Sequence, residues 1–409
     1  MGLSDVLKVF YAPHKVFKDI VQKPSYIAPL ILLIIFIVAQ LGSAYVVVSR
    51  TFIEQTKPAI DQGDVWTENS TLWMASPGVA ISENHNDFIN ASAYYNDTSI
   101  EFKSSNSSSI QMALTTLEGN VNCGPDGFKT LSFRVKIVAP DSSPNNVTMF
   151  LYSLNDVNYF TYDLTSELSN STATVWNNIT IPVGSGNWQI SGAPNWANIT
   201  NLGMAFMWDS ESNIDLRVDG LFFGGIFTGI LEVYGSSYLT QQLIQQALAG
   251  STSFLFQWLI ITALMYLIIK GLKGNVVWKP LMVAVGFAMI TLVVQAFASI
   301  IVYSATLPDL YYPLEVVASI VGNEFTMAYQ TILNAITQAT TIVFTIQFLI
   351  IPLWTIALGT FIIREVTAYA PPSVKEGTPV AQQLGWSKSF AVALASVVIR
   401  ILLQLFVGI

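Results

Sequence analysis

The sequence predicts an α-helical membrane bundle of five transmembrane helices with an extracellular all-β sandwich inserted between the first helix and the second. Three observations carry this. Only 11% of the residues are charged, against about 25% in an ordinary soluble chain. The apolar residues gather into a few long runs, which excludes one large water-soluble core. Between Arg50 and about Tyr234 the runs vanish and Asn, Ser and Thr become abundant.

The first run, Ile27 to Val48, has no charge and is long enough to cross about 30 Å of hydrocarbon. Ser253 to Ile269, Leu281 to Tyr303 and Ser389 to Val407 follow. An apolar stretch from Met327 to Ile363 exceeds one simple crossing, so the span is placed at Thr341 to Ile363. Met327 to Thr340 is then a helical extension or a surface-lying segment. Pro352 is expected to kink this span, a defect that neighbouring helices accommodate. The segment before the first run is too long and too mixed for a signal peptide, so that run reads as an uncleaved anchor. Leu7, Phe10, Phe17, Ile20 and Val21 share one face of a short helix or of a helix pair broken near Pro13. That face either lies along the membrane surface or packs on the spans.

Basic residues set the orientation. Lys8, Lys15, Lys18 and Lys23 precede the first span. Lys270, Lys273 and Lys279 fill the second-to-third loop, and Arg364, Lys375 and Lys388 mark the fourth-to-fifth. The third-to-fourth loop has Asp309, Glu315 and Glu324 and no base. The expected location is the plasma membrane, multi-pass, with a cytoplasmic N-terminus; residues 51–252 and the C-terminus face outward. The expected divisions are 1–50 for the N-terminal segment and first span, 51–235 for the outer domain, and 236–409 for a juxtamembrane segment and spans two to five.

Within the insertion, short segments such as Thr130 to Ala139 and Val147 to Leu154 alternate apolar and polar residues between Gly, Pro, Asn and Asp turns. Period-two alternation of this kind marks antiparallel strands of a sandwich. Eight Asn-X-Ser/Thr sequons occur here and nowhere else: Asn69, Asn90, Asn96, Asn106, Asn146, Asn170, Asn178 and Asn198. They are candidate glycosylation sites on the side that charge bias independently makes external. Residues 51–252 hold 19 acids against 6 bases, a net charge of −13. An exterior this acidic disfavours nucleic acid as a partner.

Two resemblances follow from particular stretches. The segments SIEF near Ser99, FKTLSFRVKI at Phe128, WNNITIPV at Trp176 and the ending WANITNLGMAFMW…LRVDGLFF resemble the galactose-binding-like jelly-roll domains of many carbohydrate-binding modules. They cover roughly residues 65–225. The resemblance implies a jelly-roll sandwich and makes Trp188 and Trp196 candidates for stacking on a sugar, with core packing as the commoner use of such rings. It also raises Asp219 as a calcium ligand, although a solvated or turn-capping role suits its surroundings better, with no dense run of oxygen ligands around it. With the insertion removed, FYAPHKVFKDIVQKPSYIAPLILLIIF, KGLKGNVVWKPLMVAVGFAMITLVVQAF and LGWSKSFAVALASVVIRILLQL resemble the Yip family of five-span Ypt/Rab-interacting membrane proteins. The short N-terminal region and the large outer domain depart from the eukaryotic members. The prokaryotic members offer the better likeness, and an archaeal cell surface would suit the sequons.

No catalytic constellation is expected, so the chain reads as no enzyme. His14 and His85 are the only histidines and fall on opposite sides of the membrane, and Cys123 is the only cysteine. A His-based triad, a zinc site and a resident cofactor are therefore not expected. The polar residues singled out inside the spans are Gln295, Gln347, Arg400 and Gln404. Arg400 is expected either to face protein, where helix carbonyls, Gln295, Gln347 or, more sharply, a partner's carboxylate or a lipid phosphate receive its donors, or to snorkel outward toward Glu315 or Glu324. Expected partners are the lipid bilayer, a membrane or cell-surface protein, and a glycan. Three readings result, in this order: a non-enzymatic membrane scaffold or accessory subunit, a surface carbohydrate-binding receptor or adhesin, and a permease or channel.

Overall fold

The computed structural model describes residues 8–89, 93–117, 119–168, 174–184, 186–319, 323–369 and 383–407. It divides into two compact units.

The helical unit comprises Met1–Thr51, Ile230–Asp309 and Asn334–Ile409. Its helices are α1 (Pro13–Gln22), α2 (Ile27–Ser49), α3 (Ile230–Gly271), α4 (Trp278–Ala288), α5 (Ile290–Thr306), the part of α6 (Asn323–Thr345) from Asn334 onward, α7 (Ile351–Ala368) and α8 (Trp386–Val407). Among the described residues, five stretches are long and apolar enough to cross a membrane: Ile27–Ser49, Ile230–Gly271, Trp278–Thr306, Asn323–Ala368 and Trp386–Gln404. The expected extension before the fourth span is helical and continuous with it.

The amphipathic face of α1 settles the choice left open by the sequence. Val16, Phe17, Ile20 and Val21 are buried against α4 and α7, so this face packs on other helices. Small residues let the helices approach closely, as membrane helices require. A Cβ on Gly286 would sit 2.7 Å from Pro29 and 2.8 Å from the Trp258 ring. The fourth span widens into a π-turn at Ile346–Ile350, immediately before Pro352. Proline has no N–H for the carbonyl one turn back, and the wider turn absorbs the mismatch, with Ile351 N–H donating to the Ile346 carbonyl.

The β unit comprises Phe52–Gly229 and Leu310–Leu333. Its strands are β1 (Thr51–Lys57), β2 (Trp73–Ala75), β3 (Ala80–Asn84), β4 (Ser99–Leu114), β5 (Thr130–Ala139), β6 (Asn146–Ser153), β7 (Asn155–Asp163), β8 (Asn177–Pro182), β9 (Gln189–Ser191), β10 (Asn201–Gly229) and β11 (Leu310–Tyr312). The long strands β4 and β10 pair along most of their length and serve both layers. Their first-layer portions form the order β2-β4-β10-β6-β7-β9. Further along, β10 pairs with β4 and β5, β8 extends from β5, and β3 from β4. Bulges between Met207 and Ile214 mark the passage from one layer to the other.

Between the layers lies one apolar core. Register fixes which side chains enter it. Met112, Met204 and Met149 face one another across β4, β10 and β6, and all are buried. Period two then sends the alternate residues, Ala113, Gly203 and Phe150, to the opposite face. Glu54 ties three backbone segments of this unit together, accepting from the N–H groups of Gly225 and Leu314. Burial pushes its carboxyl upward in pKa, against the pull of those donors.

Candidate functional site

The outward face of the first layer forms a groove of about 480 Å³. Small residues make its floor: Ala113 on β4, with Gly203 and Ala205 on β10. Phe150 and Tyr152 on β6 and Tyr159 on β7 wall one side, and Met74 on β2 walls the other. The placement follows from the ladder. Met74 pairs with Ala113, Ala113 with Gly203, and Gly203 with Phe150, while Tyr152 pairs with Tyr159. Gly203 is needed because the Tyr152 ring lies over it; a Cβ there would meet that ring at 3.3 Å.

The three rings form a cluster with centroid distances of 6.1, 5.9 and 5.7 Å. Phe150 and Tyr152 lie nearly parallel, at 12°. Burial, with Asp156 and Tyr159 nearby, raises the Tyr152 phenol in pKa, so it remains a neutral hydroxyl at physiological pH. Asp156 and Gln111 add a charged acceptor and an amide to the rim. Flat apolar ring faces beside a few polar groups suit a ligand that is apolar on one face and rich in hydroxyls at its edge.

The two tryptophans singled out by sequence lie elsewhere. Trp188 is buried in the core, its indole N–H donating to the Pro182 carbonyl at 2.8 Å. Trp196 is half-buried and stacks on Phe160 with centroids 3.7 Å apart. The pair meets edge-on at 83°, so the two rings share no flat platform. The rings that gather on the groove face are those of Phe150, Tyr152 and Tyr159. Their signal in the sequence was the alternation F-L-Y on β6 beside Tyr159, which puts Phe150 and Tyr152 on one face.

A second constellation lies where β10 turns at Gly220. Asp64, Glu68 and Asp219 each offer one oxygen within 4.8 Å of the others, a geometry that could hold a hard cation. Asp64 and Asp219 are fully buried and accept from Thr67, and from the Gly220 N–H at 3.3 and 2.7 Å. Asp219 also accepts from the Ile89 N–H at 2.8 Å, and its full burial excludes the solvated role expected of it. Burial raises all three carboxyls in pKa, Glu68 to about 7. The lone Cys123 is buried and its thiol pushed up to about 12, so it is an unreactive core residue.

Among the sequons, Asn69, Asn96, Asn106, Asn146 and Asn178 are exposed. Asn69 and Asn146 each accept from the hydroxyl of their own sequon threonine. The Asn96 amide donates to Asp64 and the Asn178 amide to Glu324, and Asn198 is half-buried. Asn90 and Asn170 lie outside the described residues.

The polar residues singled out within the apolar runs converge. Gln295, Gln347, Arg400 and Gln404 line one cavity of about 150 Å³ in the helical unit, together with Gln40 and Gln257. Gln257 and Gln404 accept from Arg400 Nη1 at 2.6 and 3.1 Å. Gln295 and Gln347, expected as acceptors for Arg400, line the cavity without a hydrogen bond to it among the described contacts. Gln40 and Gln257 were missed, although each is legible as a glutamine inside an uncharged run.

A groove-bearing β-sandwich joined to five long apolar helices is the class that fold and site define. No family model matches the chain, and no curated protein sequence matches it. Solved structures are similar to part of it. The family 11 carbohydrate-binding module from Clostridium thermocellum, in complex with a β-1,3-1,4-mixed-linked tetrasaccharide, is 16% identical. That match covers 38% of this chain and 90% of the module, with a TM-score of 0.26. The family 30 module of a Clostridium thermocellum cellulosomal cellulase is 9% identical over 41% of this chain and 96% of its own, with a TM-score of 0.30. A β-1,2-glucanase from Parabacteroides distasonis is 13% identical over 39% of this chain and 25% of its own, with a TM-score of 0.29.

Proposed function

We propose that this protein is a non-enzymatic, membrane-anchored receptor that holds a saccharide in the groove walled by Phe150, Tyr152 and Tyr159. The groove carries the proposal. It joins aromatic faces to Asp156 and Gln111, and its volume falls within the roughly 300–1,000 Å³ of small-molecule sites. Tyr152 and Tyr159 would stack on the C–H faces of sugar rings, while Asp156, Gln111 and the tyrosine hydroxyls bind ring hydroxyls. The net charge of −13 on residues 51–252 favours neutral sugars over acidic ones.

In this reading the five apolar helices span the plasma membrane in the Yip-like manner. The alternation of basic loops places the N-terminus in the cytoplasm and the sandwich outside. Placing the receptor ahead of the scaffold reverses the order the sequence suggested, and the groove is the reason. The test is a glycan array probed with labelled full-length protein in a neutral detergent. Wild type should bind neutral oligosaccharides, and the double variant Tyr152→Ala/Tyr159→Ala should lose that binding while keeping its thermal transition. Equal binding by both proteins would refute the assignment to this groove.

A further inference from the structure

We propose that the cavity around Arg400 is a binding site for a small monovalent anion. The proposal rests on the membrane-spanning reading of the helical unit but not on the saccharide groove.

Arg400 is 8% exposed, and among the described residues no carboxylate lines the cavity it faces. Its described partners are neutral. Gln257 and Gln404 turn their side-chain oxygens toward Nη1, and among the described residues Nε has no acceptor. With the Gln404 oxygen committed to the guanidinium, its N–H₂ group is left as a donor. Gln40 repeats the pattern, accepting from the Gln246 amide through its oxygen at 3.4 Å. Arg400 Nε and the Gln404 amide are thus left without described acceptors beside a buried positive charge. An anion supplies what is missing in both respects, accepting hydrogen bonds and neutralising the charge.

Charge and volume narrow the class. One guanidinium matches one negative charge; a dianion would leave an unbalanced charge in a low-dielectric interior. A space of about 150 Å³ takes an ion the size of chloride or nitrate with a few waters. A second, more open cavity of about 370 Å³ borders this space, sharing Gln40, Gln295 and Gln347 with it and continuing to Gln242 and Tyr303. The π-turn at Ile346–Ile350 contributes Gln347 and Phe348 to the lining, so the local irregularity of the fourth span lies at this site. Single π-turns of this kind recur at functional positions.

The test uses purified full-length protein in a neutral detergent, with sodium gluconate as background. Chloride, nitrate or sulfate replaces gluconate at constant ionic strength, and thermal unfolding is followed by tryptophan fluorescence. Chloride and nitrate should raise Tm saturably, by at least about 3 °C at tenfold over the dissociation constant, and sulfate should not. Arg400→Gln should abolish the response and Arg400→Lys should retain part of it. If Arg400→Gln does not fold, Gln295→Leu serves, since it leaves Arg400 and its two acceptors in place; it should weaken chloride binding several-fold. Tyr152→Ala/Tyr159→Ala should keep the full response, which separates failure of this proposal from failure of the saccharide reading. A Tm indifferent to anion identity, an unchanged response in a folded Arg400→Gln, or stabilisation by added phosphatidylglycerol alone would each overturn the proposal.

Discussion

Replacing Gly220 with alanine should destabilise the β unit by an amount that the local geometry allows to be worked out. Gly220 sits at φ +58°, beside the Asp64 and Asp219 carboxylates that accept from its N–H. A Cβ there would lie 2.8 Å from the Tyr95 ring and 3.0 Å from Arg134 Nη1. Neither neighbour yields easily. Tyr95 is fully buried, and Arg134 is held over it at 4.5 Å while pairing with Glu324 at 2.5 Å. The left-handed backbone costs about 1–2 kcal/mol for a residue with a Cβ, and overpacking adds about 1–3 kcal/mol. The sum of about 2–5 kcal/mol corresponds to a drop in Tm of about 4–20 °C for a unit of this size. Differential scanning calorimetry of the full chain measures it. Gly78→Ala isolates the backbone cost, because Gly78 has φ +89° and nothing within 4 Å of a built Cβ. If Gly220→Ala lowers Tm no more than Gly78→Ala does, the crowding argument is wrong.

Two other outcomes follow from charge. In EDTA, stability of the β unit should fall as pH rises from about 4.5 to 7 and beyond. Burial holds the Asp64, Glu68 and Asp219 carboxyls above their unfolded pKa values, so their contribution is full below those values and is lost as pH climbs through the raised ones. Asp219→Asn should flatten this dependence; a slope unchanged by it would refute the assignment. For topology, cysteines placed at Lys15 and Lys388 should resist impermeant maleimide on intact cells, while one at Asp141 should react. All three positions are exposed and the native Cys123 is buried, so the background is low. Reaction at Lys388 from outside would contradict the five-span orientation.

What the sequence revealed depended on whether the signal was local. Apolar runs and alternating strands are local, so the long helices and most strands of the sandwich were legible. Pro352 announced the irregularity of the fourth span, though not that a π-turn would absorb it. The groove was less legible because it is made by cross-strand register. Met74, Ala113, Gly203 and Phe150 are scattered over more than a hundred positions and meet only through pairing. Tryptophan drew the eye to Trp188 and Trp196, yet burial claims the first, and the second stacks on Phe160. The acid cluster was hidden for the same reason, since Asp64 and Asp219 are joined only by the return of β10. Arg400 was conspicuous by itself, whereas its glutamine surroundings required the packing of the helices.

The central claim is that the Tyr152–Tyr159 wall binds a saccharide, and calorimetric titration tests it most directly. Full-length protein would be titrated with a neutral oligosaccharide chosen from the array, beside Ala205→Leu, which fills the groove floor from the outward face of β10. Wild type should give saturable binding, and Ala205→Leu should weaken it at least tenfold, about 1.4 kcal/mol, with Tm unchanged. Affinity that survives in Ala205→Leu, or no saturable heat from any neutral oligosaccharide with wild type, would contradict the account.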